Sequence, residues 1–421
     1  MDTTALDDAV LAGALVPRFL DYVRVHTTSD PHGDLTPSTP GQWDLARALA
    51  EELRALGLRE VTLTEHCYVI GRLPASPGRE QCPVTGFLAH LDTSPDAPGQ
   101  NVRPVLVESY DGRPVTLSGG LTLDPGADPY LAAQRGRSII HSDGTTLLGA
   151  DDKAGIAEIM TAVEFLLRHP EIGHGPLEII FTPDEETGRG LPELPRELIR
   201  SAACYTLDGG ALGELEIECF NAYSAEARFQ GKVIHPGAAR GILVNAALMA
   251  AHFAALLPRS ESPEATDGYY GYYCLTTIQG NHEEASAELI VRDFSRPGAE
   301  RRVRALDAFA RAVEAQFPGG KVTVTSKPQY FNMREKIGAR PEVLDKLESA
   351  ARNTGVNFEI KPIRGGTDGA RLTELGIPTP NIFTGGRNFH SRIEWVSVPA
   401  MTAACRLVIE LARLWGEGGS V

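Results

Sequence analysis

Val84-Thr85-Gly86-Phe87-Leu88-Ala89-His90-Leu91-Asp92 is a short, mostly apolar run that ends on a histidine and an aspartate. A second run, Leu177-Glu178-Ile179-Ile180-Phe181, leads in the same way into Thr182-Pro183-Asp184-Glu185-Glu186. Runs of this length read as strands, whereas Ile156, Ile159, Met160, Val163 and Leu167 between them recur at helical spacing. Strands alternating with amphipathic helices specify a largely parallel α/β sheet covered on both faces. In such sheets ligands gather beyond the carboxyl ends of the strands, where these acidic segments fall.

Further out, Thr39-Pro40-Gly41-Gln42 precedes Leu45, Leu49, Leu53 and Leu56. It predicts an N-cap, a proline at the first helical position and a capping-box glutamine. A strand is expected at residues 61–63, and residues 94–146 form a long excursion with short strands of their own. From Phe220 the texture changes: residues 222–232 alternate, 245–257 are helical, and 272–278 and 287–293 again read as strands. This β-α-β-β pattern suits a small two-layer domain. After Lys321-Val322-Thr323-Val324 the α/β texture resumes. It includes a helix around 344–351, the turn Arg364-Gly365-Gly366-Thr367-Asp368-Gly369, and a last helix with Met401, Leu407, Ile409, Leu411 and Leu414.

A chain of 421 residues exceeds what one core usually supports. The expected organisation is a catalytic α/β domain, residues 1–219 and 332–421, with a mostly parallel mixed sheet flanked by helices. A smaller α+β two-layer lid domain, residues 220–331, is inserted in it. With 42% hydrophobic and 23% charged residues, and no apolar run of membrane-spanning length, this is an ordinary globular composition. The acidic start, Met1 to Asp8, is unlike a basic presequence, so the cytoplasm is the expected location. Six scattered cysteines without C-x-x-C spacing argue against thiolate zinc knuckles and a disulfide framework. A net charge of -15 is unfavourable for nucleic acid.

His90 and Asp92 are two apart, so Asp92 can hold one imidazole nitrogen while the other binds a cation; taken alone, a strand-end His-Asp hydrogen bond without metal is the better account, since His-x-Asp is common. Asp151 and Asp152 precede a helix, where capping alone would suffice, yet the small residues of Gly149-Ala150-Asp151-Asp152-Lys153-Ala154-Gly155 permit close approach of a ligand. One of these aspartates could bridge two cations. Glu185 and Glu186 are adjacent and point apart, so one can bind metal while the other takes a proton from water. Asp208-Gly209-Gly210 and Phe389-His390 complete the set. Oxygen and imidazole donors without cysteine favour zinc, with manganese or cobalt as alternatives. Three ligating carboxylates and a bridging hydroxide would neutralise two such ions. His235, in Ile234-His235-Pro236-Gly237, could donate to an oxyanion, and Arg292 and Arg364 could clamp a carboxylate.

Longer strings carry a resemblance. These are His90-Leu91-Asp92-Thr93-Ser94-Pro95-Asp96, Thr146 through Glu158, Phe181-Thr182-Pro183-Asp184-Glu185-Glu186, Thr206-Leu207-Asp208-Gly209-Gly210, Asn332-Met333-Arg334-Glu335-Lys336, and Lys361 through Gly369. Along nearly its whole length the chain resembles the peptidase T family, cytoplasmic bacterial tripeptide aminopeptidases within a superfamily of dinuclear zinc aminopeptidases, carboxypeptidases and acylases. The resemblance implies two zinc ions per subunit, one held by His90, Asp151 and Asp208 and the other by Asp151, Glu186 and His390. Glu185 would be the general base, Asp92 would tune the site behind His90, and His235 would help polarise the scissile carbonyl. Asn245, Arg292 and Arg364 would contact substrate, a short peptide and in the first place a tripeptide. A homodimer through the lid domain is compatible with this reading. One departure is Arg387, where the family pattern has an aromatic residue; it bears on side-pocket preference. A related dipeptidase or an N-acyl amino acid amidohydrolase would use the same metal set. A non-catalytic metal carrier would have no use for an unligated Glu185.

Overall fold

The structure is a computed structural model that describes residues 7–417. The acidic stretch Met1 to Leu6, on which the reading of the N-terminus partly rested, lies outside the described residues. The chain forms two compact units. One comprises the chain up to Ile217, Lys336–Lys361 and the chain from Thr367 onward; the other comprises Glu218–Glu335 and Pro362–Gly366. The sequence reading had left residues 362–366 in the catalytic part.

The larger unit is a mixed α/β layer structure. Its eight-stranded sheet pairs Thr85–His90 in parallel with Leu177–Thr182 on one side and Ala203–Gly209 on the other. Asn381–Phe383 continues the parallel centre beside Ala203–Gly209, while Val69–Leu73 and Arg59–Leu63 add an antiparallel edge. The central strands serve two cores at once. Phe87, Ala89, Ile179, Phe181, Tyr205 and Leu207 face one hydrophobic cluster, and the intervening Leu88, Ile180 and Cys204 face another. Period-two alternation of buried residues on both faces is what a helix-covered parallel sheet requires. The larger core receives the helices Asp8–Tyr22, Ala150–Arg168, Pro341–Thr354 and Val398–Gly416. Fully burying each large aliphatic or aromatic side chain there contributes about 1.5–3 kcal/mol.

The excursion forms the strands Pro104–Val107 and Ile139–Ser142, which join Trp395–Ser397 and Gly386–Arg387 in a four-stranded sheet. The Gly41–Ala55 helix is present, but Gln42 is not its capping box: the N-cap is Pro40, without a side-chain cap bond. Gln42 is fully buried, and its Nε2 donates to Asp184 Oδ1 at 2.7 Å. A buried amide satisfies itself on the strongest acceptor within reach, here a carboxylate.

The second unit is a four-stranded antiparallel sheet in the order Tyr272–Gly280, Glu284–Asp293, Asn221–Gln230, Lys321–Tyr330. Ala225, Ala227 and Phe229 lie opposite Leu289, Ala287 and Ala285, and this face buries Met249 and Phe253 of the Ala246–Leu256 helix and Leu306 and Val313 of the Arg296–Gln316 helix. Arg228 and Glu288, on the other face, are exposed. The expected β-α-β-β pattern is therefore incomplete. It lacked the 21-residue Arg296–Gln316 helix and the strand Lys321–Tyr330, which belongs to this sheet.

Candidate functional site

Five loops of the larger unit converge on a buried acidic cluster. His90 is the last residue of its strand, and its Nδ1 lies 3.1 Å from the Asp92 carbonyl oxygen and 3.3 Å from Asp92 Oδ1. That holds a proton on Nδ1 and turns Nε2, the nitrogen a cation would take, to within 2.7 Å of Asp151 Oδ1 and 3.4 Å of Asp208 Oδ1. Asp151 precedes the regular part of its helix, with φ -85° and ψ 104°. Its other oxygen, Oδ2, lies 3.3 Å from His390 Nε2, which is also 3.0 Å from Glu186 Oε2. One carboxylate thus turns its two oxygens to two different histidines, each with a further carboxylate.

The local sequence explains this placement. Gly149 caps the helix in a left-handed conformation (φ 81°), and a Cβ on Gly155 would lie 2.0 Å from Leu207 O, so glycine lets the helix press against the strand that carries Asp208. Asp152 points away from the cluster: its carboxylate accepts from the His90 and Gly155 amides. Asp92, fully buried, accepts from the amides of Glu185 (3.0 Å) and Glu186 (3.2 Å). Asp184, at φ 54°, is gripped by the amide and hydroxyl of Ser38 and by Gln42, which anchors the turn carrying both glutamates. His390 sits in the hairpin loop between Gly386–Arg387 and Trp395–Ser397, with Nδ1 3.3 Å from Asp96 Oδ2.

The electrostatics are those of a donor set crowded with negative charge. Burial raises Glu186, assisted by Asp151, to about 8, and Asp208 to about 6. His390 is pushed up to about 11 by Asp151 and Glu186. Burial pulls His90 down, but bonds to Asp151, Asp208 and Asp92 outweigh it and hold its pKa well above the ordinary range. Burial likewise pushes Asp151 up, but His390 and His90 hold it below the usual carboxylate range. Glu185 lies well above the ordinary range through burial and then Asp208. Among the described residues, none hydrogen-bonds its carboxyl.

The residues fit two cations. His90, Asp151 and Asp208 form one group of donor atoms, and Asp151, Glu186 and His390 another, each with all atoms within 4.8 Å of one another. Ligand atoms around a tetrahedral zinc stand about 3.3 Å apart, given bonds of about 2.0–2.1 Å. The observed separations of 2.7–3.4 Å bracket that value. Glu186 Oε1 is buried without a hydrogen-bond partner, an acceptor waiting for a positive group.

Residues 136–414 match the family model described as peptidase family M20/M25/M40. The chain is 48% identical to a peptidase T of Geobacillus sp. over 96% of its own length and 98% of that relative. The chain belongs to the peptidase T branch of family M20/M25/M40. The fold of a tripeptidase from Staphylococcus aureus resembles that of this peptidase T family member with a TM-score of 0.75 at 22% identity, covering 97% of this chain and 99% of that one. A Bacillus subtilis protein described as a dinuclear metal binding peptidase from M20 family gives 0.67 at 16% identity, covering 97% and 99%. Membership of the peptidase T branch makes the chain a metallo-aminopeptidase.

The four remaining residues singled out in the sequence lie in the second unit. His235 is exposed, and its Nδ1 accepts from the Gly237 amide. Asn245 caps the Ala246–Leu256 helix through Leu248 N. Arg292 Nη1 donates to the carbonyls of Tyr223 and Val291, and the guanidinium lies 5.5 Å from the Tyr330 ring centroid. Arg364 Nη1 donates to Gly268 O and Tyr270 O, and Nη2 to Thr266 O and Oγ1, within its own unit.

Sequence reasoning missed three elements of the peptidase T site. Asp96 was inside a quoted string, and its carboxylate type two residues past Thr93-Ser94 was the available signal. The Ser38 and Gln42 grip on Asp184 spans 146 and 142 positions and left no local signal. Glu394, fully buried, accepts backbone N–H bonds from the loop of Asp151; only its position four residues after His390 marked it.

Proposed function

We propose that the chain is a zinc-dependent aminopeptidase that releases the N-terminal residue from tripeptides. The observation that carries this reading is Asp151, whose Oδ1 is 2.7 Å from His90 Nε2 and whose Oδ2 is 3.3 Å from His390 Nε2, beside an unengaged glutamate. His90, Asp151 and Asp208 would hold one ion, and Asp151, Glu186 and His390 the other. Bound there, the pair supplies acidification of water and polarisation of a carbonyl. Imidazole and carboxylate donors without thiolate suit zinc, and cobalt or manganese accept the same set.

Glu185 takes the proton from the attacking water and returns it to the leaving amine. Its raised pKa suits a group that must hold a proton part-way through a cycle. Asp92 keeps the His90 proton on Nδ1 and ties the backbone of Glu185 to that of Glu186. In the second unit, His235 is assigned to the developing oxyanion and Arg292 to the far carboxylate of the peptide. Asn245 and Arg364 are assigned to substrate contact as well. Anchoring both ends of a short peptide sets a length gauge. The enzyme is placed in the cytoplasm, with a second copy of the chain met through the second unit.

The test is release of the first residue from di-, tri-, tetra- and hexapeptides, with C-terminally amidated and N-acetylated controls, on protein of measured metal content. Fastest turnover of free tripeptides supports the reading. Equal rates on tri- and hexapeptides remove the length gauge, and preference for acetylated substrates would establish an acylase instead.

A further inference from the structure

Glu394 lies 246 positions from Leu148 and is 1% exposed. Its Oε2 accepts the amides of Leu148 at 2.7 Å and Gly149 at 2.8 Å, and its Oε1 accepts the amide of Asp151 at 3.1 Å. Three backbone N–H groups from four consecutive residues thus converge on one side-chain carboxylate. Concave arrangements of successive amides are ready anion sites, and a carboxylate from the same chain fills this one. The segment it holds is not regular helix: Gly149 has φ 81°, Asp151 φ -85° and ψ 104°, and Asp152 φ -122° and ψ 34°. Helical hydrogen bonding therefore does not set the direction of the Asp151 side chain, and another constraint must do so.

Glu394 also sits in the hairpin loop of His390. That loop is tightly wound, with Asn388 at φ 56° and His390 at φ 60°, and is tied by Ser391 Oγ donating to Asn388 O and Asn388 Nδ2 donating to Ile393 O. The next residue, Trp395, anchors the strand through Nε1 donating to Asp128 Oδ2. One rigid hairpin therefore carries His390 at one position and, four residues on, the carboxylate that fixes the Asp151 backbone.

We infer that Glu394 is a positioning residue that aims the two oxygens of Asp151 at two different cations and sets the distance from Asp151 to His390. The inference rests on the two-cation reading above. Glu394 belongs to neither group of donor atoms and acts through the Leu148 to Asp151 backbone.

The test uses the full-length protein and three variants. Glu394→Gln keeps the volume but offers one acceptor oxygen and an NH2 group that must face an N–H. Glu394→Ala removes both acceptors, and Glu394→Asp withdraws the carboxylate by one methylene. The first readout needs no metal: amide hydrogen exchange in chelator-treated protein. Exchange at Leu148, Gly149 and Asp151 is expected to rise in Glu394→Gln and Glu394→Ala, with Glu394→Asp between them and wild type, while amides of the strand Asn221–Gln230 stay unchanged. The second readout is zinc affinity by chelator competition, expected to fall about 10- to 100-fold for Glu394→Gln, as is usual when a partner that orients a metal ligand is lost. Unchanged exchange at these three amides overturns the inference, as does a uniform rise over both units, which would make Glu394 a general stabiliser. Wild-type zinc affinity in Glu394→Gln also overturns it. Wild-type protein that takes up fewer than two ions refutes the two-cation reading instead, and the metal-free exchange still decides whether Glu394 holds the loop.

Discussion

Asp92→Asn probes how the site is held together. Asp92 is fully buried; Oδ1 accepts the Glu185 amide at 3.0 Å and Oδ2 the Glu186 amide at 3.2 Å, with His90 Nδ1 3.3 Å from Oδ1. Asparagine has nearly the same volume but a single acceptor oxygen, so at least one of these N–H groups must confront an NH2 group. A hydrogen bond to a charged group contributes about 1.5–3 kcal/mol, and a buried donor left unmet costs about 1–3 kcal/mol. Taking about 2–3 kcal/mol for the substitution, at 1.4 kcal/mol per tenfold, zinc should bind roughly 30- to 150-fold more weakly. The assay is competition against a chromophoric chelator, with kcat measured at saturating zinc and melting temperature measured on metal-free protein. The expected result is weakened zinc binding and a lowered kcat with a small change in melting temperature. Wild-type zinc affinity and kcat would refute the role of Asp92. A lowered melting temperature with unchanged zinc affinity would make it a scaffold residue.

Glu185→Gln should lower kcat by about 100- to 10,000-fold, the usual worth of a general base, with two ions per chain retained in metal analysis; loss of metal would exchange the roles of Glu185 and Glu186. Glu186 and His390 sit near 8 and 11 in the metal-free site, so both carry protons at pH 7. His90, held well above its ordinary range, carries a third, so zinc uptake at that pH should release about three protons and tighten as pH rises, read as calorimetric heats that vary with buffer ionisation enthalpy; buffer-independent heats would contradict this. Glu158 is fully buried, both its oxygens lack partners, and burial holds its pKa well above 4.5. Because the folded value is the raised one, its burial is harmless below about pH 4.5 and costs progressively more as pH rises, so Glu158→Met should stabilise by about 1–3 kcal/mol at pH 8 and little at pH 4. A melting-temperature gain independent of pH would rule this out. Arg364→Ala should raise KM for free tripeptides and lower stability by roughly 1–3 kcal/mol through its lost carbonyl bonds; an unchanged KM would remove Arg364 from the substrate contacts.

The larger unit was legible in the sequence because its central strands are buried on both faces and bounded by turns, and its helices carry wide apolar stripes. The Arg296–Gln316 helix was not, since its buried positions are Ala299, Arg302, Leu306, Ala310 and Val313. Small residues and an arginine paired with Asp293 and Glu261 leave little apolar period to detect. The metal-binding candidates could be read because histidines and carboxylates at strand ends are conspicuous. What positions them could not: Ser38, Gln42 and Glu394 act on partners 142 to 246 positions away. Such contacts follow from the fold and leave no periodic trace. Gln42 shows the cost of local reading, since a plausible cap proved to be the grip on Asp184.

The central claim is that Asp151 stands between two ions while Glu185 touches neither. Anomalous diffraction from zinc-loaded crystals, with data on both sides of the zinc edge, tests it directly. The account requires two peaks, one on each side of the Asp151 carboxylate, one ligated by His90 and Asp208 and the other by Glu186 and His390, with the Glu185 carboxylate bound to neither. A single peak, or a zinc ligated by Glu185, would contradict it.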